Sequence, residues 1–275
     1  IAVVGPTASG KSDLAVALAK KYNGEVISAD SRQVYRSLDL ASGKITKREM
    51  QGIPHHLLDV ASLRRVFTVS HYKRLAEQAL RNIVRRGKLP IIVGGTGLYI
   101  DAVLYNLEIP AVKPDLKLRK KLEAQSTESL FAKLQGLDPT RAAIIDRHNR
   151  RRLVRALEIV LSTGNPVPSL AERRYSNVLK NIGISGKEIL KIGINPGTEK
   201  LKKNIHARVL KRLREGMVSE IKNLHQGGVS WKRLEDLGLE ARWISRYLRG
   251  RITKQEMIAS LERDIWQYSR RQMTW

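Results

Sequence analysis

The eight residues Gly5-Pro6-Thr7-Ala8-Ser9-Gly10-Lys11-Ser12 constrain the fold of this chain more than any other segment. They fit G-x-x-x-x-G-K-[ST], and they stand between an apolar run, Ile1–Val4, and a helical pattern carried by Leu14, Ala15, Leu18 and Ala19. Strand, glycine loop and helix in that order form an anion nest. Loop N–H groups and the positive helix end surround phosphate oxygens, Lys11 adds a point charge, and Ser12 can ligate Mg²⁺. The same letters can arise by chance in a plain strand-turn-helix unit, but the correct flanks favour the nest. The segment predicts a bound polyphosphate and leaves its identity open.

Five apolar runs read as buried parallel strands: Ile1–Val4, Glu25–Ala29, His56–Val60, Pro90–Val93 and Ile189–Ile194. Helical patterns follow the first four. The fold class is therefore α/β, a P-loop core with a central parallel sheet and helices on both faces. Roughly 90 residues separate the fourth and fifth strands, too many for one crossover. Within them, Asp138-Pro139 starts a helix and Gly164 ends another, before a linker with Pro166 and Pro168. The expected domains are a first core part at 1–112, an all-helical insertion at 113–181, and the last strand with C-terminal helices at 182–275.

The chain has 51 Lys+Arg against 26 Asp+Glu, a formal charge of +25. Residues 1–30 hold three bases and three acids, so the excess lies elsewhere. A phosphate pocket needs one or two cations; the surplus fits a nucleic-acid backbone, where counterion release rewards it. A generally basic protein would carry the same balance without such a partner. With no cysteine there is no disulfide, thiolate catalysis or cysteine-bound zinc. No window is apolar enough to span a membrane, and no signal peptide is visible, so a cytoplasmic location is expected.

Ligands in open α/β sheets sit beyond the carboxyl ends of the strands, which predicts Asp30, Asp59 and Thr96 around one crevice with the glycine loop. Asp30, ending Val26-Ile27-Ser28-Ala29-Asp30, can accept a proton from a nucleophile or cap the next turn. Gly94-Gly95-Thr96-Gly97 allows close backbone approach and offers a hydroxyl. The strand before it, Leu89–Val93, ends without an acid, which leans away from an ATPase and leaves Asp59 as the substitute for a magnesium-organising carboxylate. On the helix at 149–163, Leu153, Ala156, Leu157 and Val160 form one stripe and Arg151, Arg152 and Arg155 lie opposite. Those arginines suit RNA phosphates and bases, or a solvated face with Arg155 paired to Glu158. Arg208 opens a basic helical stretch and could clamp a leaving phosphate. His55-His56 lacks a third metal ligand and reads as structural or RNA-facing.

Taken together, these segments resemble the tRNA dimethylallyltransferase family, bacterial type, almost end to end. The residues are Gly5–Ser12, Asp30-Ser31-Arg32-Gln33-Val34-Tyr35-Arg36, Pro54-His55-His56-Leu57-Leu58-Asp59, Gly94-Gly95-Thr96-Gly97-Leu98-Tyr99, Arg151-Arg152-Leu153-Val154-Arg155-Ala156-Leu157-Glu158 and Arg270-Arg271-Gln272-Met273-Thr274-Trp275. The resemblance implies transfer of a dimethylallyl group from its diphosphate to the exocyclic amine of the adenine 3′ of the tRNA anticodon. It implies Asp30, Thr96 and Arg208 in catalysis, and Gly5, Thr7, Ala8, Ser9, Gly10, Lys11 and Ser12 on the diphosphate, with Mg²⁺ at Ser12. It further implies tRNA contacts from Asp30, Ser31, Arg32, Gln33, Thr96, Arg119, Arg151, Arg152, Leu153, Val154 and Arg155. The partners are the anticodon stem-loop and dimethylallyl diphosphate, and the protein is expected to act as a monomer. Arg151 stands where the family often has Gln, and Gly238-Leu239-Glu240-Ala241 departs from its common Gly-Tyr-Arg-Gln. A P-loop kinase, a nucleotide-regulated RNA-binding module and a transferase for free adenine nucleotides are the rival readings.

Overall fold

The computed structural model describes residues 1–105, 107, 109–168, 179, 181–183 and 189–274. Among the described residues the strands are β1 (Ala2–Val4), β2 (Gly24–Ser28), β3 (His55–His56), β4 (Leu89–Val93) and β5 (Lys191–Gly193). They form one sheet in the order β3-β2-β4-β1-β5, and every neighbouring pair is parallel. Val26, Ile27 and Ile91 are fully buried, as a sheet covered on both faces requires. Two strands differ from expectation. The run 56–60 yields only His55–His56, because Leu57 and Asp59 adopt φ of 65° and 57° and break the extended backbone. β5 pairs with β1 at the sheet edge and is largely exposed rather than buried.

Helix α1 (Lys11–Lys21) starts directly after the glycine loop and lays Ala15 and Ala19 against Val3, Val26, Ile91 and Val93. The short α2 (Lys47–Met50) begins in a Thr46–Glu49 capping box. α3 (Val69–Arg85) crosses back from β3 to β4, and its Tyr72 stacks on Tyr99 of α4 (Gly97–Leu104), with ring centroids 4.0 Å apart. After β5 come α9 (Thr198–Arg214), α10 (Met217–Gln226), α11 (Trp231–Leu237), α12 (Leu239–Leu248) and α13 (Lys254–Met273), with α5 to α8 lying in the second unit described below. Among the described residues, no helix is long and apolar enough to cross a membrane.

The chain divides into two compact units, residues 1–105 with 175–275 and residues 106–174. The second unit holds α5 (Leu116–Glu123), α6 (Thr127–Leu137), α7 (Pro139–Ile144) and α8 (Arg150–Thr163). Each has a side-chain N-cap, from Asp115, Ser126, Asp138 and Asn149. Gly164 ends α8 in the left-handed conformation, φ 69°. Leu122, Leu130, Leu134, Leu153 and Leu157 make its core. The linker beyond Pro168 and most of the stretch up to the expected boundary at 181 lie outside the described residues.

Candidate active site

Glycine geometry gathers the site. Gly5 takes φ +145°, and a Cβ there would lie 2.6 Å from the Ile194 carbonyl oxygen, so the nest closes only around glycine. At Gly94 a Cβ would lie 2.2 Å from the Ala29 oxygen. That close approach lets Thr96 N–H donate to Ala29 O at 3.1 Å, while Thr96 Oγ1 accepts from Ser31 N–H at 3.1 Å. The end of β2, carrying Asp30, is thus stitched to the loop after β4, carrying Thr96.

One pocket in the first unit is lined by Thr7, Lys11, Ser12, Asp30, Gly94, Gly95 and Arg208, and Gln33, Gly43, His55, Tyr268 and Gln272 are also on its wall. Asp30 lines the pocket and fills the capping role that the sequence offered. Its Oδ1 accepts from Arg32 N–H at 2.8 Å and Gln33 N–H at 3.3 Å, which caps the turn and fixes the carboxylate in the pocket. Lys11 Nζ donates to the Pro6 carbonyl. Burial lowers its pKa to about 8, with Asp30 pulling it up and Arg208 pushing it further down. Arg208, on α9, reaches Thr7 Oγ1 at 3.4 Å and the Gly43 carbonyl at 3.5 Å, and burial lowers its pKa too. Ser9 Oγ is buried without a hydrogen-bond partner among the described residues.

Of the strand-end residues expected in the crevice, Asp30 lines the pocket, Thr96 is tied to Ser31 without lining it, and Asp59 is carried away. Asp59 is half-exposed and paired with Lys44 at 2.6 Å, and it does not line the pocket, because the left-handed turn at Leu57 and Asp59 carries it aside. It therefore does not replace the acid missing after β4. His55 lines the pocket with Nδ1 on the Ile53 carbonyl, while His56 is tied to Glu25 at 2.7 Å. Among the described residues no group of three or more His, Cys, Asp or Glu forms a metal cage. Ser12 and Asp30 nonetheless put hard oxygen donors in one pocket. That suits a magnesium ion that takes its other ligands from phosphate and water.

The second unit holds the other predicted contacts. Arg151 and Arg152 are exposed on α8. Leu153 and Val154 are 0% and 5% exposed, and their side chains pack into the unit's core. Arg119 and Arg155 converge on Glu158, at 2.7 and 2.5 Å, and Asp115 N–H donates to the same carboxylate. Burial pushes Glu158 up, but these hydrogen bonds outweigh it and hold its carboxyl below the usual range. The Arg155–Glu158 pairing is the one that the i, i+3 spacing offered.

Sequence reasoning assigned no role to Tyr268, and it offered Gln272 only as part of the Arg270–Trp275 segment. Gln272 Oε1 accepts from Thr7 N–H at 2.7 Å, and its Nε2 donates to Gly95 O at 2.9 Å. Burial raises the Tyr268 hydroxyl's pKa, and neighbouring Asp30 adds to this. Their i, i+4 spacing on one helix face was the available signal. Arg212 was also missed: it pairs with Glu240 at 3.7 Å, and burial, with Arg208 adding, lowers its pKa to about 10.

A glycine-lined loop at the carboxyl end of a parallel sheet, with a lysine, an arginine and one carboxylate around it, defines a P-loop α/β protein with an acid beside its anion nest. A model of the IPP transferase family matches residues 33–275, and the chain belongs to that family. The tRNA dimethylallyltransferase of Acetivibrio thermocellus is 38% identical over all of this chain and 87% of its own length. The crystal structure of the tRNA isopentenylpyrophosphate transferase of Bacillus halodurans is similar with a TM-score of 0.68 and 36% identity, covering all of this chain and 85% of its own. A eukaryotic dimethylallyltransferase acting on tRNA is similar with a TM-score of 0.81 and 27% identity, over all of this chain and 68% of its own.

Proposed function

We propose that this chain transfers a dimethylallyl group from dimethylallyl diphosphate to the exocyclic amine of the adenine 3′ of a tRNA anticodon. One observation carries the reading: Asp30 stands in the same pocket as Lys11, Ser12 and Arg208, so a proton acceptor and an anion site face one volume. The adenine amine is a poor nucleophile, and alignment with the allylic carbon does most of the work. As the new C–N bond forms and the allylic C–O bond breaks, Asp30 takes the proton from the amine. Thr96 holds the Ser31 backbone beside it. Lys11 and Arg208 meet the charge that builds on the departing diphosphate. Mg²⁺ held by Ser12 and by diphosphate oxygens would add positive charge at the leaving group.

The target base must leave the anticodon stack to reach such a pocket. Asp30–Gln33 would guide it, and Arg151 and Arg152 of the helical unit would grip tRNA phosphates, supported from the core by Leu153 and Val154. Arg119 and Arg155, tied to Glu158, would be secondary contacts. The protein would act as a monomer in the cytoplasm. Titrating the protein separately with dimethylallyl diphosphate and with ATP, both with Mg²⁺, tests the reading. Tighter binding of the prenyl donor is expected; exclusive binding of ATP would return the chain to the kinases.

A further inference from the structure

The amide of Gln272 joins two loops that serve different reactants. Thr7, whose N–H donates to Gln272 Oε1 at 2.7 Å, belongs to the anion nest. Gly95, whose carbonyl accepts from Nε2 at 2.9 Å, belongs to the loop that holds Ser31 beside Asp30 through Thr96. Gly95 is fitted to this side chain, since a Cβ there would lie 2.0 Å from Nε2. A primary amide offers an acceptor and donors from one planar end, which a carboxylate or thioether does not. The helix bearing Gln272 has separate anchors in Met257, Leu261 and Ile265, all buried, so it does not need this bridge to stay docked.

We infer that Gln272 is a positioning residue: its amide fixes the spacing between the nest holding the diphosphate and the loop holding the acceptor base. It acts on the alignment of the two reactants and not on the binding of either. The inference rests on the prenyl-transfer reading. A misplacement of about 1 Å between reacting groups costs on the order of 10²-fold in rate, so a bridge of two hydrogen bonds can govern turnover.

The test uses the full chain with Gln272→Met and Gln272→Leu, which remove both hydrogen bonds without adding a charge beside the nest. Gly95→Ala displaces the amide from the other side and serves if the first two variants fail to fold. Turnover with labelled donor and unmodified tRNA gives kcat and both KM values, and calorimetry with pyrophosphate and Mg²⁺ gives a Kd. The expected result is a kcat at least about tenfold lower, with each KM and the pyrophosphate Kd within about threefold of wild type. Gln272→Met combined with Gly95→Ala should be no worse than either alone, because both break one bridge. Unchanged kcat, additive losses, or a pyrophosphate Kd weakening in step with kcat would each overturn the inference. A wild-type protein that binds pyrophosphate but transfers no prenyl group sinks the functional reading itself, whereas active variants beside an active wild type sink this inference alone.

Discussion

Asp30 is pinned by two backbone N–H donors on Oδ1, so replacing it with Asn preserves the turn and removes the proton acceptor. Asp30→Asn is expected to lower kcat by about 10²–10⁴-fold, the range for loss of a general base, while tRNA affinity stays near wild type. Equal loss of both would make Asp30 an RNA ligand instead. Lys11 supplies a pH signature. Its ammonium is fully charged only below its folded pKa of about 8, so donor binding above that pH must take up a proton. Donor affinity should therefore fall as pH rises from 8 to 9, by up to about tenfold. Lys11→Met should bind weakly with that pH dependence flattened; an unaltered slope would assign the titration to another group. The nest and Asp30 were legible from the sequence because motif and strand end coincide. Gln272 and Tyr268 were not, since their partners lie more than 170 residues away in Thr7, Gly95 and Thr96.

At the scale of the element, α8 serves two roles on two faces. Its arginines at 151 and 152 are exposed, while Glu158 is wholly buried and gathers Arg119, Arg155 and the Asp115 N–H. Glu158→Ala should strand those groups and cost about 3 kcal/mol, the low end for breaking a buried pair, because both arginines remain a third exposed. Chemical denaturation, with the transition followed separately in the helical unit, measures it; a loss below the resolution of that measurement would contradict the ion cluster's role. The apolar stripe of α8 was readable from its helical period, as was the Arg155–Glu158 pair. Arg119 was not, because its partnership crosses from α5 to α8. β3 was overread for a different reason: apolar letters at Leu57 and Leu58 said nothing of the left-handed turn that ends the strand. Asp59 was misplaced by the same turn.

For the whole molecule, the charge of +25 and the separate helical unit belong to one expectation, that tRNA binding is strongly electrostatic. The logarithm of the tRNA association constant should fall linearly with the logarithm of salt concentration, and the joint replacement of Arg151 and Arg152 by Ala should reduce the slope by about 1–2. A slope unchanged in that variant would move the contact to other basic residues. The parallel sheet and the helical insertion were legible because apolar runs, caps and Gly164 punctuate them; sheet order was not, since the sequence names strands without their neighbours. The most direct measurement is incubation of the protein with unmodified tRNA and labelled dimethylallyl diphosphate, followed by nucleoside analysis of the anticodon loop. The account predicts label on the exocyclic nitrogen of the adenine 3′ of the anticodon, with one diphosphate released per label. Unlabelled tRNA, or label on free adenine nucleotides alone, would contradict it.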